Sequence, residues 1–228
     1  MKIALCLSGQ PRGLSKAFNY YKTNLLDFYD VDVFCHSWNS ELNHKILNLY
    51  KPKSYIFEDP KFSEQEDKKY TNTPDASKWP PRFTLSAFYS INESKKLFQE
   101  FGINYDFVIR TRYDYALNVK IAFEKMHANK LYIPNCRMVP ERNFGNDQFA
   151  FSSVENMIKY MSTYENIDQY YSQGTQMIGE EMLKANLIHH NLVGENLVYV
   201  DMNNPFPPGP HNGTWHSLIR EDYEKWAK

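Results

Sequence analysis

The sequence predicts an α/β fold, one domain over residues 1–228 with a mostly parallel central sheet flanked by helices, on three observations. Short continuous apolar runs bounded by turn signals read as strands buried on both faces. Between them, apolar residues recur at spacings of three and four, the period of a helix that buries one face. Strand, turn, helix and strand then follow one another from the first residues, the opening of a doubly wound sheet whose first turn lies at the ligand-binding carboxyl edge. A chain of 228 residues supports a core without disulfides or a structural metal, since at this size roughly 70% or more of the unfolded surface is buried.

Residues 2–7 (KIALCL) form the first buried strand, and Ser8-Gly9-Gln10-Pro11-Arg12-Gly13 the turn after it. Over residues 14–28, Leu14, Phe18, Tyr21, Leu25 and Phe28 mark one helix face. Residues 30–38 (DVDVFCHSW) are a second strand, 41–50 (ELNHKILNLY) a helix and 54–57 a third strand. Residues 58–82 are polar, carry four prolines and hold no sustained period, so they read as a long loop, either a lid or disordered. Residues 84–101 return to helix, with Gly102 placed to cap it in the left-handed conformation. Residues 105–110 (YDFVIR) are a central strand, 131–133 a short one, and 147–151 open another element. Helices over 154–164 and 179–191 and a strand over 197–200 follow, and the prolines and glycines of 203–215 permit neither ladder nor helix.

Twenty-six basic against 27 acidic residues, a net charge of −1, give no field that would gather nucleic acid. Cys6, Cys35 and Cys136 lie far apart without a CxxC pair, so buried free thiols in a reducing compartment are expected. No apolar span approaches the ~18 residues of a membrane helix, and the first apolar run is too short for a secretory signal. A cytoplasmic protein with at most peripheral membrane association is the expectation.

Four clusters carry candidate chemistry. In the first turn, Ser8, Gly9 and Gln10 allow close backbone approach and Arg12 offers a planar fork to phosphate, although neither G-x-G-x-x-G nor a P-loop pattern is present. A tight turn with a solvated Arg12 accounts for the same residues equally well. At the end of the central strand, alternation sends Arg110, Arg112 and Asp114 to one side. Three charges there must pair internally or bind a ligand such as a diphosphate, alone or with a metal. Asn146-Asp147-Gln148 presents polar groups at the start of an element, where a turn is the plain explanation. Glu180 and Glu181 open a helix whose dipole favours them there. Of the 17 Tyr, 15 Phe and 4 Trp, most are core, while Trp38, Trp79 and Trp215 lie beside these loops as candidate sugar platforms.

The order SGQPR, DVFCHSW, YDFVIRTRYD, NDQFAFSS and GEEMLKANL resembles the GT-A glycosyltransferase-like proteins of bacterial and viral surface-glycan clusters, over about residues 2–215. The resemblance implies a single Rossmann-like GT-A domain that moves a sugar from a nucleotide-diphosphate sugar to a glycan or glycolipid acceptor in polysaccharide biosynthesis, inverting or retaining. Ser8, Gly9, Gln10, Arg12, Arg110, Arg112 and Asp114 would then bind the nucleotide sugar. Arg112-Tyr113-Asp114 stands where the family's DxD motif holds Mn2+ or Mg2+ on the donor diphosphate. Asp114 matches the ligating carboxylate and Arg112 replaces the first aspartate, so Arg110 and Arg112 could equally neutralise the diphosphate without a metal. His211, with His216 in reserve, matches a late histidine ligand. Asp147 matches a residue facing the sugar or acceptor, as a hydroxyl contact or a base. Glu181, or else Glu180, matches the general base of inverting members. Two other readings remain: a non-catalytic nucleotide- or sugar-binding module, which the arginine at the first DxD position supports, and a sugar-phosphate nucleotidyltransferase, whose glycine-rich, lysine-bearing N-terminal signature is missing.

Overall fold

The computed structural model describes residues 1–73, 76–77, 79–134 and 147–200. Its elements run β1 (Lys2–Gly9), α1 (Leu14–Tyr21), β2 (Asp30–Trp38), α2 (Asn43–Tyr50), β3 (Ser54–Glu58), α3 (Glu64–Lys69) and α4 (Pro81–Glu100). Then follow β4 (Phe107–Arg112), β5 (Leu131–Pro134), β6 (Phe149–Ser152), α5 (Val154–Met161), α6 (Ile167–Ser172), α7 (Gly179–His189) and β7 (Leu197–Val200).

The strands form one seven-stranded sheet in the order β3-β2-β1-β4-β6-β5-β7. The pairs β1–β2, β2–β3, β1–β4 and β5–β7 are parallel, while β6 runs antiparallel to both β4 and β5. The expected mostly parallel α/β sheet is therefore present. Beginning at β1, the chain builds outward through β2 and β3, then returns to place β4 on the other side of β1. That reversal makes β1 and β4 the topological switch point, the usual ligand position of open α/β sheets.

Two apolar layers sandwich the sheet because successive residues of a strand point to opposite faces. Ile3, Leu5 and Leu7 of β1 join Val33, Cys35, Phe107 and Ile109 against Leu14, Ala17, Tyr21 and Ile46 of α1 and α2. Ala4 and Cys6 join Phe34, Val108 and Ala150 against Leu85, Phe88 and Ile91 of α4, Met157 and Tyr160 of α5, and Leu183 of α7. Cys6 and Cys35 are free, buried thiols, as expected; Cys136 lies outside the described residues. No helix among the described residues is long and apolar enough to cross a membrane.

Several boundaries differ from the sequence expectation: β1 runs on through Ser8 and Gly9, where a turn was expected, and β4 begins at Phe107 rather than Tyr105. The helix expected over residues 14–28 is α-helical only to Tyr21 and widens into a π-helical turn at Lys22–Leu26. Within the polar stretch 58–82, Ser63 and Glu66 close a capping box, in which Ser63 N–H donates to Glu66 Oε2 at 2.7 Å, and this starts α3. Pro81 then sits in the first turn of α4, where its missing N–H costs nothing. Finally, β4 continues two residues past the expected end because Ser8 of β1 pairs with Arg112. Arg110 is thus an interior strand residue.

Candidate functional site

The carboxyl ends of β1, β2 and β4 present Ser8 and Gly9, His36 to Trp38, and Arg110 to Arg112 side by side. Ser8, His36, Trp38, Arg110 and Arg112 alternate onto the sheet face that α4 and α5 cover. Gly9 has φ +103°, a conformation side chains rarely adopt, as the strand turns out of the sheet. Its N–H donates to Ser90 Oγ of α4 at 2.7 Å. Ser90 Oγ lies 2.7 Å from His36 Nδ1, and His36 Nε2 lies 2.9 Å from Glu58 Oε1. With Glu58 ionised, Nε2–H donates to it, Nδ1 accepts from the Ser90 hydroxyl, and Ser90 accepts from Gly9, so every group is satisfied. Burial holds His36 below its ordinary pKa, which keeps the ring neutral. Burial opposes ionisation of Glu58, but hydrogen bonds from Lys61, His36 and Tyr89 outweigh it and hold the carboxyl at about 2.

Arg112 and Asp114 pair internally, one of the two outcomes their spacing allowed: Arg112 Nε and Nη2 donate to the two Asp114 oxygens at 2.7 and 2.8 Å. Asp114 is buried and the Arg112 side chain is one-third exposed. Arg110 is different. Its guanidinium is 3% exposed, and Nε and Nη2 both lie 3.3 Å from Ser8 Oγ. Its Nη1 is buried and has no hydrogen-bond partner among the described residues. Burial draws the Arg110 pKa down, with Tyr160 and Asp147 pulling it back up. Arg12, half-buried in the turn, donates Nε to Gln10 Oε1 at 2.7 Å.

Asp147 precedes β6 at the same edge of the sheet, since Phe149 pairs with Thr111 of β4. Its Oδ2 lies 3.5 Å from where a side chain on Gly179 would begin, so it stands against the N-terminus of α7. Glu180 and Glu181 occupy the first turn of that helix, Glu180 exposed and Glu181 half-buried. The structure thus gathers the turn residues, both arginines, Asp114, Asp147 and the paired glutamates along one edge. Asn146, His211, His216 and Trp215 lie outside the described residues. Of the other tryptophans, Trp38 stacks on Tyr89 at 5.8 Å and is buried, while Trp79 is 60% exposed.

The described residues do not by themselves fit a Mn2+ or Mg2+ site. Asp114 gives both carboxylate oxygens to Arg112, and no group of three His, Cys, Asp or Glu among the described residues converges as ligands. Oxygen-rich coordination is what those cations require.

Sequence reasoning missed His36, Glu58, Ser90 and Tyr160. A histidine within the apolar run VFCHSW was the one available signal, because a buried imidazole must find polar partners. Ser90 and Tyr160 carried none, being ordinary positions on amphipathic helices. No protein-family model matches the chain, and no match appears among curated proteins.

Proposed function

We propose that the carboxyl edge binds a nucleotide-diphosphate sugar and transfers its sugar to a glycan or glycolipid acceptor in the cytoplasm. The observation that carries this reading is the switch point itself. The carboxyl ends of β1 and β4, the usual ligand position of such sheets, carry the Gly9 turn and Arg112, whose side chain is one-third exposed. The Gly9–Arg12 turn lets backbone approach the diphosphate closely. Arg12 and Arg112 neutralise the charge that gathers on it as the glycosidic C–O bond breaks, because charge-assisted bonds to phosphate are strong and directional.

Asp147 and Glu181 both belong to the wall formed by the start of β6 and the start of α7. In an inverting transfer the acceptor hydroxyl attacks the anomeric carbon and gives its proton to a carboxylate here, Glu181 being the leading candidate.

Calorimetric and thermal-shift titration against UDP, GDP, CDP and their sugars tests the reading. One nucleoside diphosphate is expected to stabilise the fold by RT ln(1 + [L]/Kd). Arg112→Ala should weaken it about tenfold, and EDTA should leave it unchanged. Absence of stabilisation by every nucleotide would refute the proposal, and loss of the effect in EDTA would restore a cation on Asp114.

A second reading, a binding module without turnover, is favoured by the commitment of Asp114 to Arg112. Release of free sugar from the bound donor over hours would exclude it.

A further inference from the structure

We infer that Arg110, Tyr160 and Asp147 form a subsite for two adjacent hydroxyls of a neutral sugar ring, which deepens the transferase reading and rests on it for the identity of the donor. Arg110 lies two residues inside β4, and α5 crosses the same face of the sheet with Tyr160 turned inward. The Arg110 Nη1 and the Tyr160 hydroxyl are both fully buried, and neither has a hydrogen-bond partner among the described residues. Native proteins leave few such atoms unpaired, because each one costs its full desolvation. Two of them on one covered face, in side chains 3% and 1% exposed, mark a place where partner atoms are missing.

Asp147 supplies the third corner. It stands at the rim between the end of β4 and the start of α7, half-buried, and it forms no ion pair with Arg110 among the described residues. Its charge reaches both Arg110 and Tyr160.

Charge and hydrogen-bond valence together select the ligand. One guanidinium and one carboxylate sum to zero, so an anion would satisfy Arg110 but face the Asp147 carboxylate, and a cation would do the reverse. The unfilled positions are a donor on Arg110, an acceptor on Asp147, and a hydroxyl on Tyr160 that can serve as either. A vicinal diol matches this set: one oxygen accepts from Arg110, a neighbouring hydroxyl donates to Asp147, and Tyr160 completes either bond. Arg110 is therefore assigned to the sugar, and the diphosphate is left to Arg12 and Arg112.

The test compares each nucleoside diphosphate with its nucleotide sugar (UDP with UDP-glucose and UDP-galactose, GDP with GDP-mannose) by calorimetry, in the wild type, Tyr160→Phe and Asp147→Asn. Both substitutions keep shape, and a melting temperature within a few degrees of wild type confirms folding. The expected result is diphosphate affinity unchanged within twofold and nucleotide-sugar affinity lowered about tenfold in each variant. Equal loss of both ligands would assign the cluster to the diphosphate and overturn the inference. So would nucleotide-sugar affinity that neither variant alters.

Ligand-observed NMR with millimolar glucose, galactose, mannose and glucuronate separates this from failure of the transferase reading. If no nucleotide binds, transferase activity is refuted, yet saturation transfer to a neutral sugar that disappears in Asp147→Asn still supports the subsite. Binding of glucuronate alone, or of no sugar, together with absent nucleotide binding, would overturn it.

Discussion

The two ends of the same parallel strands handle buried charge in opposite ways. At the amino edge, the Asp32 carboxylate is 3% exposed and surrounded: Lys2 Nζ lies at 3.1 Å, the Tyr105 hydroxyl donates at 3.1 Å, and Lys53 Nζ stands at 3.7 Å. Beside it, Asp106 accepts from the Lys2 backbone N–H at 2.7 Å, so strand β1 is tied down at its start. At the carboxyl edge, Arg110 is equally buried and, among the described residues, has only Ser8 Oγ as a hydrogen-bond partner. A buried charge that serves the fold is saturated by the fold. One left with an empty donor at a switch point indicates partner atoms that the described residues do not supply.

Breaking each edge in turn tests this contrast. Asp32→Asn leaves Lys2 without its carboxylate and weakens the tie to Tyr105, and is expected to cost about 3 kcal/mol, a fall of roughly 6–12 °C in melting temperature for a chain of this size. Arg110→Met, of similar length and without charge, is expected to change stability by no more than about 1 kcal/mol, since an unpaired buried charge contributes little to the fold it sits in. Denaturant titration of the two variants decides it. Comparable losses would make Arg110 a structural residue and remove the contrast.

Gly9→Ala sharpens the comparison from the backbone side. Space is free around the missing Cβ, with nothing within 4 Å, but φ of +103° strains any side chain, so a cost of about 1–2 kcal/mol is expected. Ala at a position with ordinary φ and the same free space would be nearly neutral. A neutral result would show that this turn readily adopts another conformation.

The smallest effect is acid sensitivity of the His36–Glu58 link. Burial keeps His36 below its ordinary value of 6.5, so the unfolded chain takes up the proton first, and stability present above pH 6.5 declines as pH falls below it. Glu58 adds a second window: its carboxyl titrates near 4.5 when unfolded and at about 2 when folded, so its contribution is full above pH 4.5 and disappears toward pH 2. Urea midpoints measured from pH 8 to pH 3 should fall in both windows. Glu58→Gln should flatten the lower one, and a profile identical to wild type would show that Lys61, His36 and Tyr89 do not hold the carboxylate in solution.

Much of the fold was legible because it rests on local periodicity. β2 and β7 match the expected bounds residue for residue, and Gly102 adopts the left-handed φ of +67° expected after a helix. Misses arose where a local signal was short or absent. α3 depends on a single capping box, and the end of β4 depends on a neighbour, Ser8, that lies 104 residues earlier. The pairing of Arg112 with Asp114 was among the outcomes that their spacing allowed, because residues two apart on an extended chain share a side.

By itself, the sequence determined the alternation of strands and helices, the buried thiols and the concentration of charge after β4, since each follows from residue type and spacing along the chain. Only the tertiary structure decided that β4 lies beside β1, which creates the switch point, and that Ser90, Glu58 and His36 join three separate elements to hold the Gly9 turn. It also decided that an Arg110 donor on the face shared with Tyr160 has no partner among the described residues, because hydrogen-bond satisfaction belongs to the packed neighbourhood and leaves no trace in the order of residues.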